Sequence, residues 1–353
     1  MKKKHIIRIV VFAVVSVLAI SFLNSFLSVP RAKDVIGIYA FHKEPEDSID
    51  VALVGPSETY TSFYSPLAYE QFGFTSYALA VGGMRGVCYP SAIREMEATQ
   101  DPQVYVLELY GFIYKDQYEE ASIRAWVDSL PDSENRDQTI RETVPPEKRR
   151  DYEDKYRKYH GNWINRRDCM NAFLDKMRIS RQGYSITKNF ATETAAMPPD
   201  GQTMNYAISE DGMKYLKETL AFLQEQGIEN VLFVRTPEQV QYKENDSVDE
   251  AVRMIRDAGY DYLDMYGLQE EIGIDPQKDF YNPFHCNIYG AEKITAYLGQ
   301  YLTEHYEIDT SHTEEVAAEW EHCASCNEEI IGMLKERIEK GQKRYCFAQR
   351  DFL

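Results

Sequence analysis

The stretch VALVGPSETYTSFYSP, residues 51–66, sets a short apolar run directly before a glycine-proline corner that carries a serine. A run of small apolar residues bounded by turn-forming residues is typical of a buried strand. Gly55 and Pro56 end that strand, because proline has no N–H to donate to a strand ladder and glycine favours turns. We therefore expect a buried strand over 51–55 that presents Ser57 at its carboxyl end.

Four more strand-like segments follow, and helical patterns alternate with them. Strands are predicted at 75–83, 103–112, 229–237 and 261–265, and helices at 65–73, 92–99, 209–227, 247–260 and 287–306. Strands that alternate with helices form a parallel sheet whose two faces are both covered. The sequence thus predicts an α/β fold of three layers, α/β/α, with a five-stranded parallel sheet of flavodoxin-like type in one domain over residues 50–306.

The segment 113–205 breaks this alternation, because it is charged, aromatic and poorly periodic. A structureless loop of that length is uncommon in a compact domain, so we interpret it as an inserted, partly helical cap. It leaves the third strand at the carboxyl edge of the sheet, where it is expected to overhang Ser57. Its mixed charges and aromatic residues suit a glycan or polyol chain better than a lipid, and Trp163 is expected to pack.

The first thirty residues, MKKKHIIRIVVFAVVSVLAISFLNSFLSVP, are long and apolar enough to cross a bilayer. The lysines favour a cytoplasmic N-terminus, so the bulk of the chain should be extracytoplasmic. A cleaved signal peptide is the competing interpretation, but the apolar run is long and no A-x-A site precedes Arg31. We predict a single-pass signal anchor over 1–30 in the cell membrane, a connector over 31–49, and an acidic amphipathic helical tail over 307–353.

The composition excludes one class of partner and makes cofactors unexpected. The formal net charge is -18, whereas nucleic-acid binding requires clustered positive charge. The six cysteines permit disulfides in an exported domain. The C-x-x-C pair at 323–326 has no second pair with metal-site spacing, and helical periodicity turns Cys323 toward the core. We expect no nucleic acid, no metal and no other cofactor.

A serine nucleophile needs a base, and one of the seven histidines is well placed to supply it. His285 lies in DFYNPFHCNIYGAEKIT, residues 279–295, after the last strand and before the last helix of the domain. That position faces the same sheet edge as Ser57. The backbone N–H of Ser57 and the Gly82-Gly83 turn after the second strand are then candidate donors to an oxyanion.

Three blocks of the sequence together resemble a known hydrolase family. They are GPSETYTSFYSP around Ser57, YALAVGG at 77–83, and FHCNIYGAEKIT around His285. Over about residues 50–300 they are similar to the SGNH/GDSL hydrolase superfamily, and in particular to its membrane-anchored Gram-positive members akin to the D-alanyl transfer protein of teichoic-acid modification. The resemblance implies a serine esterase or O-acyltransferase acting on acyl esters of cell-envelope polymers, with a multispanning membrane acyltransferase as a possible partner.

The sequence departs from that family at the group that orients the histidine. The family places an aspartate three residues before the histidine, where this chain has Asn282, and Asp279 lies six residues before it. A neutral amide orients the ring but stabilises an imidazolium less well than a carboxylate. Asn282 is therefore the predicted orienting residue, with Asp279 as the alternative. The alternative function, which the neutral Asn282 favours, is that of a catalytically inactive module that binds a glycan or a membrane acyltransferase.

Overall fold

The computed structural model describes residues 3–153 and 155–352 and has an α/β fold around a five-stranded parallel sheet. The strands of the chain are β1 Val51–Gly55, β2 Ser76–Ala80, β3 Val104–Glu108, β4 Thr192–Glu193, β5 Thr203–Tyr206, β6 Val231–Arg235, β7 Gln241–Glu244, β8 Asp261–Asp264, β9 Phe280–Asn282, β10 His285–Cys286 and β11 Tyr345–Cys346. The central sheet has the order β2–β1–β3–β6–β8, and the short strands pair as β10–β9, β11–β4 and β5–β7. The predicted parallel five-stranded sheet is confirmed.

The strand order places the candidate serine at a defined point of the sheet. β1 pairs in parallel with both β2 and β3, so that Val51 lies opposite Ser76 and Val104. The direction of the winding reverses between β1 and β3, and ligands of open parallel sheets bind beyond the carboxyl ends of the strands at such a point. Ser57 follows β1 directly and lies at this edge.

Seventeen helices surround the sheet or extend from it. They are α1 Lys3–Leu27, α2 Ala32–Phe41, α3 Ser57–Ser62, α4 Ser65–Phe72, α5 Tyr89–Glu97, α6 Glu120–Val127, α7 Glu134–Thr143, α8 Arg149–Glu153, α9 Lys155–Tyr159, α10 Arg166–Gln182, α11 Glu210–Gln226, α12 Asp246–Asp257, α13 Gln269–Ile272, α14 Ile288–His305, α15 Glu314–Ser325, α16 Asn327–Glu339 and α17 Gln349–Phe352, all within the described residues.

Alternate residues of β1 point to opposite faces of the sheet, as the strand period requires. Ala52 and Val54 belong to a core that includes residues of α2, α5, α11 and α12. Val51 and Leu53 belong to a second core that includes residues of α3, α4 and α14. Helices therefore cover both faces, which gives the three layers that the alternating pattern predicted.

The N-terminal helix α1 is long and apolar enough to cross a membrane. None of its most apolar stretch is buried against the rest of the chain, unlike the core helix of a soluble domain. The helix ends at Leu27, shortly before Pro30.

Two predicted segments have more structure than expected. The connector 31–49 contains α2, whose Ile38 and Phe41 are fully buried in the core. The tail 307–353 contains three helices, α15, α16 and the short α17, rather than one. The chain turns between α15 and α16 at Cys326, where the Asn327 side chain donates to the backbone oxygen of Pro66, 3.1 Å away. Cys323 is buried as predicted, and all six cysteines are free.

The inserted segment 113–205 is helical in its middle and part of the domain at its end. Its helices pack outward from the sheet, with α7 against α5 and α10 against α2 and α1. Its last residues return to the core, where Lys188 and Ala191 are buried and β4 pairs with β11. The insertion is therefore helical in its middle and a structural segment of the domain at its carboxyl end, and its role as a cap over Ser57 stays a prediction.

Candidate functional site

Ser57 and His285 meet at the carboxyl edge of the sheet, although 228 residues separate them. Ser57 is the first residue of α3, directly after the corner that ends β1, and His285 opens β10. The distance between Ser57 Oγ and His285 Nε2 is 2.7 Å. This is a normal hydrogen-bond length for a hydroxyl and an imidazole nitrogen.

The hairpin of β9 and β10 sets the orientation of the imidazole. Asn282 Oδ1 accepts hydrogen bonds from the backbone N–H groups of Phe284, at 2.9 Å, and His285, at 3.0 Å. An asparagine that bonds the backbone two residues on forms an Asx turn. The same oxygen lies 3.0 Å from His285 Nδ1. Asn282 therefore fixes the turn and the histidine side chain together.

The hydrogen-bond pattern also fixes the tautomer of the histidine. Two backbone N–H groups donate to Asn282 Oδ1, so that atom is the amide oxygen and not the nitrogen. An oxygen accepts, so His285 Nδ1 must carry the proton. Nε2 is then unprotonated and its lone pair faces the hydroxyl of Ser57. This is the tautomer that can take a proton from the serine.

The surroundings of His285 favour its neutral form. The Tyr281 ring stacks on the imidazole with centroids 5.5 Å apart and planes 10° from parallel. Burial lowers the pKa of His285 to about 4. The imidazole is therefore an unprotonated base across the neutral pH range.

Asp279, the alternative orienting group, does not contact the histidine. Its carboxylate is fully buried and accepts from Lys293 Nζ at 2.6 Å and from the backbone N–H of Asp275 at 2.7 Å. It belongs to the connection between β8 and β9 and its packing on α14. Asn282, and not Asp279, is the residue beside Nδ1.

Glu58, the residue after the candidate serine, is a further carboxyl group at the site. Its side chain is buried, with Oε2 3.4 Å from Ser57 Oγ and Oε1 3.8 Å from His285 Nε2. Burial raises the pKa of Glu58 to about 7. Burial therefore favours the neutral forms of both Glu58 and His285, so their contact is not an ion pair.

Two more buried carboxyl groups lie near Glu58. Glu108, the last residue of β3, accepts from the backbone N–H groups of Tyr110 and Thr236. Burial, and then the charge of Glu58, raise the pKa of Glu108 to about 8. Burial and Glu58 likewise raise the pKa of Glu238. The surroundings of the serine therefore disfavour negative charge unless donors stabilise it.

The candidate oxyanion donors differ in availability. The Gly82 N–H donates to Asp34 Oδ1 at 3.0 Å, so the prediction that Gly82 supplies a donor is wrong. Gly83 has φ of +69°, and the Met84 N–H closes the turn onto the oxygen of Val81 at 3.2 Å. Within the described residues, no protein acceptor takes the N–H of Gly83 or of Ser57. These two donors remain candidates.

Part of the site arose from contacts that sequence spacing does not encode. Glu58 follows the serine as an ordinary charged residue, and no pattern shows that it is buried. Tyr281 is four residues before His285, where only the hairpin register brings its ring alongside the imidazole. For Tyr281, the only signal in the sequence was its place in the block around His285, which is predicted to be a turn between a strand and a helix.

No group of three or more His, Cys, Asp or Glu residues is arranged to hold a metal ion within residues 3–153 and 155–352. No protein-family model matches the chain, and no curated protein matches it. The chemistry of this site is therefore argued from its own geometry.

Proposed function

We propose that this chain is an extracytoplasmic, membrane-anchored serine esterase or O-acyltransferase of the SGNH type, acting on acyl esters of cell-envelope polymers. The observation that carries the proposal is the chain of contacts from Ser57 Oγ to His285 Nε2, at 2.7 Å, and from His285 Nδ1 to Asn282 Oδ1, at 3.0 Å. A hydroxyl, a base and an orienting group in this order are the parts of an activated serine nucleophile.

The first step forms an acyl-enzyme. Ser57 Oγ bonds to the ester carbonyl carbon while its proton passes to His285 Nε2, and the carbonyl oxygen becomes an oxyanion. The N–H groups of Ser57 and Gly83 are the donors proposed to hold that oxyanion. When the tetrahedral intermediate collapses, the ester C–O bond breaks and the leaving alcohol takes the proton from His285.

The second step returns the acyl group to an oxygen acceptor. His285 takes a proton from water or from a sugar or polyol hydroxyl, whose oxygen attacks the acyl carbonyl. The bond between the acyl carbon and Ser57 Oγ then breaks, and Oγ takes the proton back from His285. Water gives hydrolysis, and a polymer hydroxyl gives transfer. A multispanning membrane acyltransferase is the partner proposed to supply or receive the acyl group in the transfer case.

A fluorophosphonate probe tests the nucleophile directly, since it phosphonylates an activated serine. We expect the parent to be labelled and Ser57→Ala to lose both labelling and turnover of a generic acetyl ester. Ser62→Ala is the matched control, because Ser62 lies on the same helix α3 and its side chain is buried. Equal labelling of the parent and Ser57→Ala would reject the assignment.

The neutral Asn282 favours the second candidate, an inactive module that binds a glycan or a membrane acyltransferase. Without a carboxylate at Nδ1, the imidazolium that forms during attack is less stabilised. A folded parent that reacts with no fluorophosphonate and hydrolyses no ester would support this candidate and reject the enzyme.

A further inference from the structure

The apolar length of α1 defines which part of the chain lies at a membrane surface. An α-helix rises about 1.5 Å per residue, so a hydrocarbon core of about 30 Å takes about 20 residues. Counted from Ile6, the first exposed apolar residue, that length reaches Ser25. Asn24 and Ser28 therefore lie at the boundary of the leaflet on the C-terminal side of α1, which we call the distal leaflet.

Two elements of the cap are fixed to this end of α1. The Asn162 side chain donates to the backbone oxygens of Leu27, at 2.8 Å, and Val29, at 3.1 Å. The Phe173 ring on α10 packs edge-on against Phe22, with ring centroids 5.8 Å apart. The turn at 160–163 and helix α10 consequently lie at the depth of the distal leaflet.

These two elements expose an apolar face, which we call the cap face. It consists of Trp163, Ile164, Met170, Leu174 and Met177, exposed by 54%, 87%, 47%, 40% and 49%. The last three are spaced i, i+4 and i+7, so they share one side of α10. Outside α1, the other exposed large hydrophobic residues in the described part of the chain are Tyr118, Met204 and Tyr345. Such a concentration of exposed apolar side chains marks an interaction surface.

The charge around the cap face is opposite to that of the whole chain. Residues 141–182 contain twelve Lys and Arg and seven Asp and Glu, a net charge of +5, in a chain of net charge -18. Arg166, Arg167 and Arg181 are exposed on α10 itself. An apolar face bordered by arginines is the pattern of a helix that lies on an anionic membrane.

A cavity that contains three lysines adjoins the same end of α1. Its volume is about 600 Å³, and it is lined by Asn24 and Ser28 of α1 together with Lys43, Lys155 and Lys176. Asp128 and Asp132 also line it, but Arg124 pairs with Asp128 at 3.1 Å and Lys155 pairs with Asp132 at 3.6 Å. Burial lowers the pKa of Lys176 to about 8, so an anion in the cavity would favour its charged form.

We propose that the cap face lies on the distal leaflet, inserting its apolar side chains among anionic phospholipids. The inference goes beyond the proposed chemistry, but it rests on α1 crossing the bilayer, which is part of the proposed function. The cap face should strengthen membrane binding beyond that of α1. Its apolar side chains, including Trp163, become buried at the interface, and its arginines attract anionic headgroups.

Tryptophan fluorescence of the full-length chain in lipid nanodiscs tests the proposal. Trp126 and Trp320 are fully buried, so the difference between the parent and Trp163→Phe reports Trp163 alone. In discs of phosphatidylcholine and phosphatidylglycerol with brominated acyl chains, we expect strong quenching of Trp163. The triple variant Met170→Asp, Leu174→Asp and Met177→Asp should lose that quenching.

Two control variants separate insertion from general effects. Met204→Asp changes an exposed methionine outside the cap face and should leave the quenching unchanged. The variant Arg166→Gln, Arg167→Gln and Arg181→Gln should remove the difference between discs with and without phosphatidylglycerol. Ser57→Ala should be quenched like the parent, so the result does not depend on catalysis.

Contrary results overturn the inference in identifiable ways. If brominated lipids leave Trp163 unquenched in anionic discs while aqueous iodide quenches it, the face is open to solvent or reserved for a protein, and the proposal fails. If the chain does not float with bilayers, the anchor and the cap face both fail. Fluorophosphonate labelling that depends on Ser57 would still stand in either case.

Discussion

At the scale of single residues, Asn282 links the conformation of a turn to the chemistry of a histidine. One oxygen accepts from two backbone N–H groups and from His285 Nδ1, which leaves Nε2 free for Ser57. A carboxylate would accept the same three bonds. Because an amide is neutral, Asn282 orients the histidine without adding a charge beside it.

Asn282→Asp should make His285 a stronger base. In serine proteases the reverse change lowers kcat by about 10⁴, so we expect the aspartate here to raise kcat by about tenfold or more. A negative charge beside the ring favours imidazolium and raises the pKa of His285 from about 4. Protonation of His285 should lower the parent rate as the pH approaches 4, whereas in the variant the loss caused by that protonation should begin at higher pH.

The pH profile of ester hydrolysis measures both effects in one experiment. Asn282→Ala is the control, since it removes the acceptor of Nδ1 and should lower the rate. An aspartate variant whose rate and acid limb equal those of the parent would show that Asn282 does not orient the base.

Sequence alone could locate Ser57 and His285 because both follow from where chain segments end. The corner at Gly55 ends a strand, and the turn before Asn287 starts a helix, so both side chains reach one sheet edge. The donor assignment to Gly82 failed for a different reason. Its N–H bonds to Asp34, a residue of α2, and that contact depends on tertiary packing.

At the scale of elements, a buried ion cluster joins three segments outside the central sheet. Lys188 near the end of the insertion pairs with Glu44, after α2, and with Glu319 of α15. All three side chains are buried, and the two carboxylates raise the pKa of Lys188 despite its burial. The cluster holds the insertion, the segment after α2 and the tail in one arrangement.

Lys188→Met should strongly destabilise the fold, because it leaves two buried carboxyl groups without their cation. Removal of one partner from a buried ion pair costs about 3–5 kcal/mol. Lys343→Met is the matched control, because Lys343 pairs with Glu193 at 2.9 Å on the surface and should contribute at most about 1 kcal/mol. Urea unfolding followed by circular dichroism measures both, and equal midpoints would contradict a structural role for the cluster.

Elements were predictable where their own residues dictate burial, and not where distant partners do. Four strands of the central sheet are apolar runs, β8 is the shorter and more polar segment DYLD, and all five strands are present. Helix α2 was hidden because AKDVIGIYAF contains Lys33 and Asp34, which are buried through contacts with Asn189 and Gly82. The bend at Cys326 was hidden because the partner of Asn327 is Pro66 on α4.

At the scale of the whole molecule, the segment that follows α1 is hydrogen-bonded to the loop after β2, which carries a candidate oxyanion donor. Arg31 donates to the backbone oxygen of Gly82 at 2.7 Å, and Asp34 accepts from the N–H of the same residue. Gly82 precedes Gly83, a candidate oxyanion donor. The segment that follows α1 therefore positions the loop after β2.

This connection predicts that the domain begins at α2 and not at β1. A chain that starts at Arg31 should remain folded, because it loses α1 but keeps α2 and both bonds to Gly82. A chain that starts at Lys43 loses the buried side chains of α2, which include Val35, Ile36, Ile38 and Phe41. At about 1.5–3 kcal/mol each, their burial contributes about 6–12 kcal/mol.

A loss of that size is comparable to the whole net stability of a typical domain, about 5–15 kcal/mol, so the shorter chain should not fold. Cooperative thermal unfolding and near-ultraviolet circular dichroism of the two truncated chains provide the measurement. The chain from Arg31 should unfold in one transition and retain labelling at Ser57, and the chain from Lys43 should show neither. A folded, cooperative chain from Lys43 would show that α2 is the connector that the sequence suggested, with no structural role in the domain.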